Sequence, residues 1–345
     1  MKDFDFILTD DNSVGLYSKI AGDILHSKTG ALKESIEKFI NPSQISHKLH
    51  FHEKINVLDI CYGIGYNTKA LLSLININKI HIDALETNSK LICLSPFLKD
   101  GINNDELKLF LFYQLLQNSY SIDEINSLIY SMLKDNFHYI DEFTSSIFLK
   151  IKNSIYKFNH EVDLQAFLHN IYYNYMSNSM EYNPLSNNYK DVSILFHNDD
   201  ARCSIKNLDK TYDVIFLDAY SPQKDPSLWT INFLNEIKKH MNHNSVLVTY
   251  SKSTPVRSAL VQLGFFVGKT FINEIDMGTV AALNKNLVPN NLTEFDYALF
   301  DSRSGIPFKD ESLSLNSSQI IQNRILEQNN SEKISHTALL RQYKH

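Results

Sequence analysis

Cysteine, long apolar runs and basic charge are all scarce in this sequence of 345 residues, and each absence excludes a class of protein. The three cysteines, Cys61, Cys93 and Cys203, lie far apart without CxxC or His-paired spacing, so we expect neither a disulfide framework nor a metal site. No apolar run approaches the roughly 20 residues of a membrane span, and the acidic N-terminus lacks the basic start of a signal peptide. We therefore expect a protein of the reduced cytoplasm without a membrane segment.

Basic residues are too few for indiscriminate binding to nucleic acid. The chain has 33 Lys and Arg against 39 Asp and Glu, a formal net charge of -6. Affinity for phosphates comes from clustered Lys and Arg, so only a local basic face stays open. The hydrophobic content of 43% is enough for a full core, in one large domain or in a core domain with an appended one.

The hydrophobic pattern divides the chain into four segments. Residues 1–50 are predicted to be an N-terminal flank or lid, with a helix at 31–40 that stops at Asn41-Pro42. Residues 51–98 and 189–286 alternate strands with helices, which predicts a Rossmann-like core of parallel strands. Helical periodicity over 99–188 indicates a helical insertion, and 287–345 are a polar C-terminal extension with a weak helix near 317–327.

An apolar run ending at an aspartate is the most specific feature of the core. Residues 214–217 read Val-Ile-Phe-Leu, as expected for a strand covered on both faces, and Asp218 ends the run. Ligands of open α/β sheets bind outside the carboxyl ends of strands, so we interpret Asp218 as a site residue, with a cap or turn role as the alternative. In the next loop Asp225 is predicted to be an N-cap, with Pro226 opening a helix that runs to about Met241.

Other candidate site residues follow the neighbouring strands. The glycine loop Tyr62–Asn67 lets the backbone pass close to a ligand, but Thr68 replaces the last glycine of the dinucleotide fingerprint. Glu86 ends the second strand, where it can bind a ribose diol. After the third strand, either Asp199 or Asp200 can bind the exocyclic amine of an adenine. The predicted cofactor-binding set is Gly63, Gly65, Asn67, Glu86, Asp199 and Asp200.

The last two predicted strands, GFFVGKTF and GTVAALN, have centres only about 15 residues apart. That spacing is too short for a helical crossover, so the pair should be antiparallel. With the acids at successive strand ends, this layout fits a site for S-adenosylmethionine better than a site for NAD. The predicted fold is α/β, a class I (Rossmann-like) S-adenosylmethionine-dependent methyltransferase sheet with an antiparallel C-terminal strand and a helical insertion.

Six motifs resemble those of the methyltransferase part of MnmC, the bacterial bifunctional tRNA wobble-uridine enzyme, and of its stand-alone relatives. The motifs are LYSKIAGDILHSKTGALKES (16–35), LDICYGIGYNTKALL (58–72), HNDDAR (197–202), DVIFLDAYSPQKDPSLWT (213–230), VLVTYSKSTPVRSALVQLGF (246–265) and GIPFKDESLSL (305–315). The resemblance implies N-methylation of the wobble 5-aminomethyl-2-thiouridine of tRNA to 5-methylaminomethyl-2-thiouridine. It also implies a stand-alone form without the FAD oxidase domain.

The chemistry of this reaction suggests a role for Asp218. An alkylammonium ion has no lone pair, so the amine must lose a proton before it attacks the methyl group, and Asp218 is the candidate catalytic residue. A tyrosine, Tyr62, Tyr66 or Tyr220, could contact the sulfonium through a cation–π interaction or simply pack. The predicted substrate-side and lid residues are Tyr17, Ser27, Gly30, Tyr220, Ser221 and Pro222.

Two other functions are compatible with the same sheet. An aminopropyltransferase related to spermidine synthase shares the amine nucleophile, but such enzymes carry a GGGDG-like loop where this chain has CYGIGYN. A catalytically inactive RNA-binding protein of this fold is disfavoured by the retention of both glycines and the strand-end acids. Affinity for S-adenosylmethionine separates these alternatives.

Overall fold

The computed structural model describes residues 4–19, 22–25, 30–52, 54–74, 79–102, 104–121, 123–125, 127–129, 131, 137–142, 145–146, 189 and 191–343. The chain divides into two compact units. Unit 1 comprises Met1–Ile36, Tyr62–Ile82 and Asn88–Phe196, and unit 2 comprises Glu37–Cys61, Asp83–Thr87 and His197–His345. Residues 151–188 of the predicted helical insertion lie outside the described residues.

Unit 1 opens with a three-stranded antiparallel sheet. Its strands are β1 (Phe4–Leu8), β2 (Val14–Ser18) and β3 (Asp23–Leu25). Asp11 stabilises the turn between β1 and β2 by accepting hydrogen bonds from Thr9 Oγ1 (2.7 Å) and from the backbone N–H of Ser13 (3.1 Å). Its carboxylate also lies against Gly30, where φ is 139° and an added Cβ would sit 2.3 Å from Oδ2. Only glycine fits this position.

A run of helical turns follows, made of α1 (Ala31–Ser35), a π-helical turn (Ile36–Ile40), α2 (Asn41–Ser43) and α3 (Ile45–Phe51). The predicted stop at Asn41-Pro42 was therefore wrong. Pro42 lies in the first turn of α2, a position where proline is tolerated. The break comes instead at Gln44, which has a left-handed φ of 56°.

The remaining strands form a seven-stranded sheet of order β6-β5-β4-β7-β8-β10-β9. They are β4 (Lys54–Ile60), β5 (Lys79–Leu85), β6 (Val192–His197), β7 (Tyr212–Leu217), β8 (Met241–Thr249), β9 (Phe266–Ile272) and β10 (Ile275–Ala282). β7 runs parallel to β4 and β8, whereas β10 is antiparallel to both β8 and β9. The α/β fold class and the antiparallel closing pair are confirmed.

Helices connect these strands and continue to the C-terminus. They are α4 (Tyr66–Ser73), α5 (Ser89–Leu94), α6 (Asp105–Gln117), α7 (Ala201–Ser204), α8 (Ile231–Lys239), α9 (Thr254–Gln262), α10 (Glu294–Phe300), α11 (Ser317–Asn330) and α12 (His336–Gln342). α11 confirms the helix predicted near 317–327. Among the described residues, no helix is long and apolar enough to cross a membrane.

The helix predicted to open at Pro226 begins later, so that prediction was wrong. Ser227–Trp229 form a 3-10 turn, and α8 starts at Ile231 with Thr230 as its N-cap. Thr230 Oγ1 accepts the backbone N–H of Phe233 at 3.2 Å, as an N-cap side chain should. Asp225 instead accepts the backbone N–H of Ser227 (3.1 Å) and stabilises the turn that precedes the helix.

Candidate active site

Cys61, Glu86 and Asp218, which directly follow β4, β5 and β7, lie along one edge of the sheet in unit 2. Each donates its backbone N–H to the last residue of the neighbouring strand: Cys61 to the Leu85 carbonyl (3.0 Å), Glu86 to the His197 carbonyl (3.1 Å) and Asp218 to the Ile60 carbonyl (3.1 Å). This edge is where ligands of open α/β sheets bind. The structure thus brings Glu86 and Asp218 to one edge.

The charges that act on the Cys61 thiol at this edge are those of acids. Burial raises the pKa of the Cys61 thiol well above its ordinary value, and four carboxylates raise it further: Glu86, Asp218, Asp225 and Asp59. Several carboxylates close together disfavour further negative charge and attract cations. The thiol therefore stays protonated and is no nucleophile, whereas an ammonium or sulfonium ion is favoured here.

The loop after β6 holds the two aspartates predicted to bind adenine, and their surroundings differ. Asn198 Nδ2 ties the loop to the Glu86 carbonyl at 2.9 Å. Asp200 caps α7 by accepting the backbone N–H of Arg202 (2.9 Å), and its Oδ2 accepts the guanidinium Nη2 (2.7 Å). Burial opposes ionisation, but the hydrogen bonds and charge of Arg202 hold the pKa of Asp200 below its ordinary value. Asp199 is exposed and accepts the backbone N–H of Asp200.

Residues 219–229, here called the β7–α8 loop, follow Asp218 and are held in place by hydrogen bonds to their backbone. Trp229 is fully buried and donates its Nε1–H to the Tyr220 carbonyl at 2.7 Å. Tyr250, which follows β8, donates its hydroxyl to the Ala219 carbonyl at 2.7 Å. Tyr220 and Ser221 are half-buried, and Pro222 is buried. The predicted substrate-side residues therefore share one fixed loop next to Asp218.

The glycine loop belongs to unit 1 and follows Cys61 in the chain. Gly63 and Gly65 have φ values of 56° and 82°, which other residues rarely adopt. Gly65 donates its N–H to the Tyr62 carbonyl at 2.7 Å, and a Cβ on Gly65 would meet the Tyr62 ring at 2.4 Å. Packing against Tyr62 thus requires glycine at position 65, whether or not a ligand also approaches its backbone. Asn67 is buried in the first turn of α4.

Two of the three tyrosines considered for a cation–π contact are packing residues. Tyr62 is 3% exposed and hydrogen-bonds Ser95 Oγ through its hydroxyl at 2.9 Å. Tyr66 is 1% exposed, and its hydroxyl accepts the Val14 N–H (2.8 Å) and donates to the Val14 carbonyl (3.0 Å). Of the three, only Tyr220 is half-buried.

The predicted lid residues of unit 1 occupy ordinary structural positions where they are described. Tyr17 lies in β2, paired with Asp5 of β1 and Ile24 of β3. Gly30 is held against Asp11 at the start of α1. Ser27 lies outside the described residues. A lid role for these residues stays a prediction.

Sequence reasoning missed the contribution of residues 306–317 to this region. Arg202 donates from Nη1 to Asp310 Oδ2 (3.3 Å) and to the Leu315 carbonyl (2.8 Å). Ser317 Oγ, at the end of this segment, donates to Asp225 Oδ1 at 2.7 Å. The available signal was the motif at 305–315, which lies in a segment that composition alone marked as a polar extension.

Comparisons with known proteins identify the family of this chain. Residues 162–272 match the family model described as S-adenosyl-L-methionine-dependent methyltransferase. An uncharacterized protein of Methanocaldococcus jannaschii, MJ0670, is 31% identical over 319 residues, which are 92% of this chain and 70% of that relative. The chain belongs to the S-adenosyl-L-methionine-dependent methyltransferase family. The cofactor of this methyltransferase is S-adenosyl-L-methionine, and its sheet is of the class I type.

Two further relatives carry the name MnmC. The crystal structure of MnmC2 from Aquifex aeolicus superposes with a TM-score of 0.65 at 26% identity, over 95% of this chain and 86% of that one. The tRNA 5-methylaminomethyl-2-thiouridine biosynthesis bifunctional protein MnmC of Paracidovorax citrulli is 33% identical over 70 residues. That match covers 20% of this chain and 11% of the bifunctional protein. This methyltransferase therefore resembles the MnmC methyltransferases.

Proposed function

We propose that this methyltransferase acts on the 5-aminomethyl group of wobble 5-aminomethyl-2-thiouridine in tRNA, giving 5-methylaminomethyl-2-thiouridine. The observation that carries the proposal is the carboxylate edge of unit 2. There Glu86 follows β5 and Asp218 follows β7, the strands on either side of β4, and both charges act on the Cys61 thiol that follows β4. A negatively charged edge attracts both cationic partners of the reaction, an alkylammonium and a sulfonium. The similarity to MnmC supports the choice of amine.

The residues present fit the cofactor. When bound, S-adenosyl-L-methionine supplies a methyl group on a positively charged sulfur. Glu86 would accept hydrogen bonds from the ribose diol, and the carboxylates that raise the pKa of the Cys61 thiol would favour the positive sulfur. Asp199 and Asp200 are the proposed partners of the adenine amine, with Gly63, Gly65 and Asn67 as the proposed remaining contacts.

Asp218 is the proposed catalytic residue. Its carboxylate would accept a proton from the ammonium group, which frees the nitrogen lone pair to form the N–C bond as the bond between the methyl carbon and sulfur breaks and its electron pair stays on sulfur. The same carboxylate holds the nitrogen by a hydrogen bond, and the braced loop after it restricts the approach of the substrate. Holding two reactants in line removes much of the entropic barrier to their reaction.

The proposed partner is tRNA, and the proposed compartment is the cytoplasm. We assign the chemistry to a core of residues 51–98 and 189–286. Residues 1–50, 99–188 and 287–345 are the proposed flank, insertion and extension of that core.

The test is mass analysis of nucleosides from tRNA incubated with the protein and S-adenosyl-L-methionine. One tRNA preparation carries the 5-aminomethyl group, and a matched preparation has that amine acetylated. We expect 5-methylaminomethyl-2-thiouridine from the first and no product from the second. Absence of product from both would refute the substrate assignment. Transfer of an aminopropyl group from decarboxylated cofactor would favour the aminopropyltransferase alternative.

A further inference from the structure

We infer that residues 306–317, here called the C-terminal strap, couple the loop after β6 to the β7–α8 loop. When the cofactor binds to the loop after β6, the strap then holds the β7–α8 loop in the position that receives the amine. The inference rests on the proposed function, because it takes from there that the loop after β6 binds the cofactor and that the β7–α8 loop binds the amine. All of the residues involved belong to unit 2.

The strap grips the loop after β6 through Arg202. That guanidinium is shared between Asp200 on its own loop, 2.7 Å away, and Asp310 of the strap, 3.3 Å away. A third contact, from Nη1 to the Leu315 carbonyl, measures 2.8 Å. Because a guanidinium is planar with its donors in a fixed fork, one side chain holds Asp200 and the strap together.

Asp310 is the centre of the strap and is almost fully buried, at 1% exposed. It accepts hydrogen bonds from the backbone N–H of Leu315 (3.1 Å) and from Ser312 Oγ (2.9 Å). Its own N–H donates to Asn232 Oδ1 of α8 at 2.8 Å. A buried carboxylate that is hydrogen-bonded in this way has one well-defined position.

The other end of the strap meets the β7–α8 loop. Ser317 Oγ donates to Asp225 Oδ1 at 2.7 Å, and the same oxygen accepts the Ser227 hydroxyl at 2.6 Å. Ile231, the first residue of α8, donates its N–H to the Phe308 carbonyl at 2.9 Å. The strap therefore contacts the loop at its turn and again where the helix after it begins.

The strap is itself rigid enough to transmit such a constraint. Phe308 and Leu313 are buried in the hydrophobic core of unit 2. Arg324 of α11 donates to the Ile306 carbonyl at 2.6 Å and lies over the Phe308 ring at 4.8 Å. Packed and hydrogen-bonded elements of this kind carry coupling between sites. The charge of Asp225 is also among those that raise the pKa of Arg202.

The experiment follows amide hydrogen exchange in residues 219–229 with and without S-adenosyl-L-homocysteine, for the wild type and three variants. Asp310→Asn removes the charge at the centre, Ser317→Ala removes the hydroxyl at the far end, and Lys309→Ala is the control. Lys309 neighbours Asp310 but forms an exposed ion pair with Glu327. We expect the ligand to slow exchange in the wild type and in Lys309→Ala, and to lose most of this effect in the other two.

Affinity and kinetics give the second readout. Asp310→Asn should bind S-adenosyl-L-homocysteine about fivefold more weakly, since couplings between sites commonly reach this size. Ser317→Ala should keep that affinity but raise the KM for tRNA about fivefold, with kcat changed less. If ligand-induced protection survives in Ser317→Ala, or falls equally in Lys309→Ala, the coupling is refuted. Ser317→Ala decides the matter should Asp310→Asn fail to fold.

The outcomes separate this inference from the proposed function, because exchange and product affinity are measured without RNA. Protection that depends on the strap, together with no methylation of tRNA, would keep the coupling and refute the substrate. Methylation of tRNA together with protection that does not depend on the strap would support the substrate and refute the coupling.

Discussion

Each unit of the chain holds a cluster of ionisable side chains, and the two clusters differ in how their charges are combined. In unit 1, Lys69 and Asp100 are buried together with 3.7 Å between Nζ and Oδ2. In unit 2, the acids that act on Cys61, Glu86 foremost, share one sign. Once buried, opposite charges each need the other as a partner, whereas like charges gathered at a strand edge are typical of functional sites.

The cost of burial is visible in unit 1. Burial lowers the pKa of Lys69 to about 8, and the charge of Asp100 works against that shift. Lys69 Nζ also donates to the Ser95 carbonyl at 2.6 Å. The ammonium is thus kept in the interior by specific partners, and we assign this cluster to stability alone.

The largest effect should come from breaking the pair of unit 1. Asp100→Ala leaves the Lys69 ammonium buried without its carboxylate, and we expect the free energy of unfolding to fall by about 3–5 kcal/mol. Urea unfolding followed by circular dichroism measures this loss. The matched control is Asp5→Ala, which breaks the exposed pair with Lys19 and should cost below about 1 kcal/mol. Equal losses in the two variants would remove the distinction between the clusters.

Next in size is the loss of methyl transfer when the edge of unit 2 loses Asp218. In Asp218→Ala we expect kcat to fall at least about 100-fold, because the proton acceptor is gone. Affinity for S-adenosyl-L-methionine, measured by calorimetry, should change little. The control Asp209→Ala removes an acid whose side chain is 89% exposed and should leave both quantities unchanged. Near-normal turnover in Asp218→Ala would mean that the base is misassigned.

A smaller effect is expected for Glu86. Glu86→Gln keeps the shape of the side chain but removes its charge, and we expect cofactor affinity to weaken about tenfold, the usual size for hydrogen bonds to a charged group. Glu236→Gln serves as control, since Glu236 pairs only with Lys239 among the contacts described for it. Unchanged affinity in Glu86→Gln would exclude the ribose contact.

The smallest effect should be a shift in the pKa of the Cys61 thiol, which responds to the charges around it. Removing a negative charge near Cys61 stabilises its thiolate, so the thiol pKa should fall in Glu86→Gln and less in Asp218→Asn. The pH dependence of alkylation by iodoacetamide measures it, in a Cys203→Ser background because Cys203 is exposed. A thiol pKa that both substitutions leave unchanged would show that these acids do not act together.

The sequence predicted the strand ends well because their signal is local. Four fully buried residues precede Asp218, and such a run identifies a central strand without knowledge of its neighbours. The start of α8 was missed because Asp225 and Thr230 are both good N-caps. The choice between them depends on the burial of Trp229, which is a tertiary effect.

The strap could not be predicted for a related reason. Its contacts join Arg202 to Asp310 and Asp225 to Ser317, pairs that are far apart in the chain. The composition of 287–345 is polar, and polar residues that form internal hydrogen bonds look the same in a sequence as residues that face water. Only the fold shows that Asp310 is buried.

The most direct test of the account follows the methyl group itself. tRNA with the 5-aminomethyl group is incubated with the protein and with cofactor carrying a trideuterated methyl group, and the nucleosides are analysed by mass. The account predicts that the label appears on the aminomethyl nitrogen of the wobble nucleoside, and that Asp218→Ala gives almost none. Label on another atom or nucleoside, or full labelling by Asp218→Ala, would contradict it.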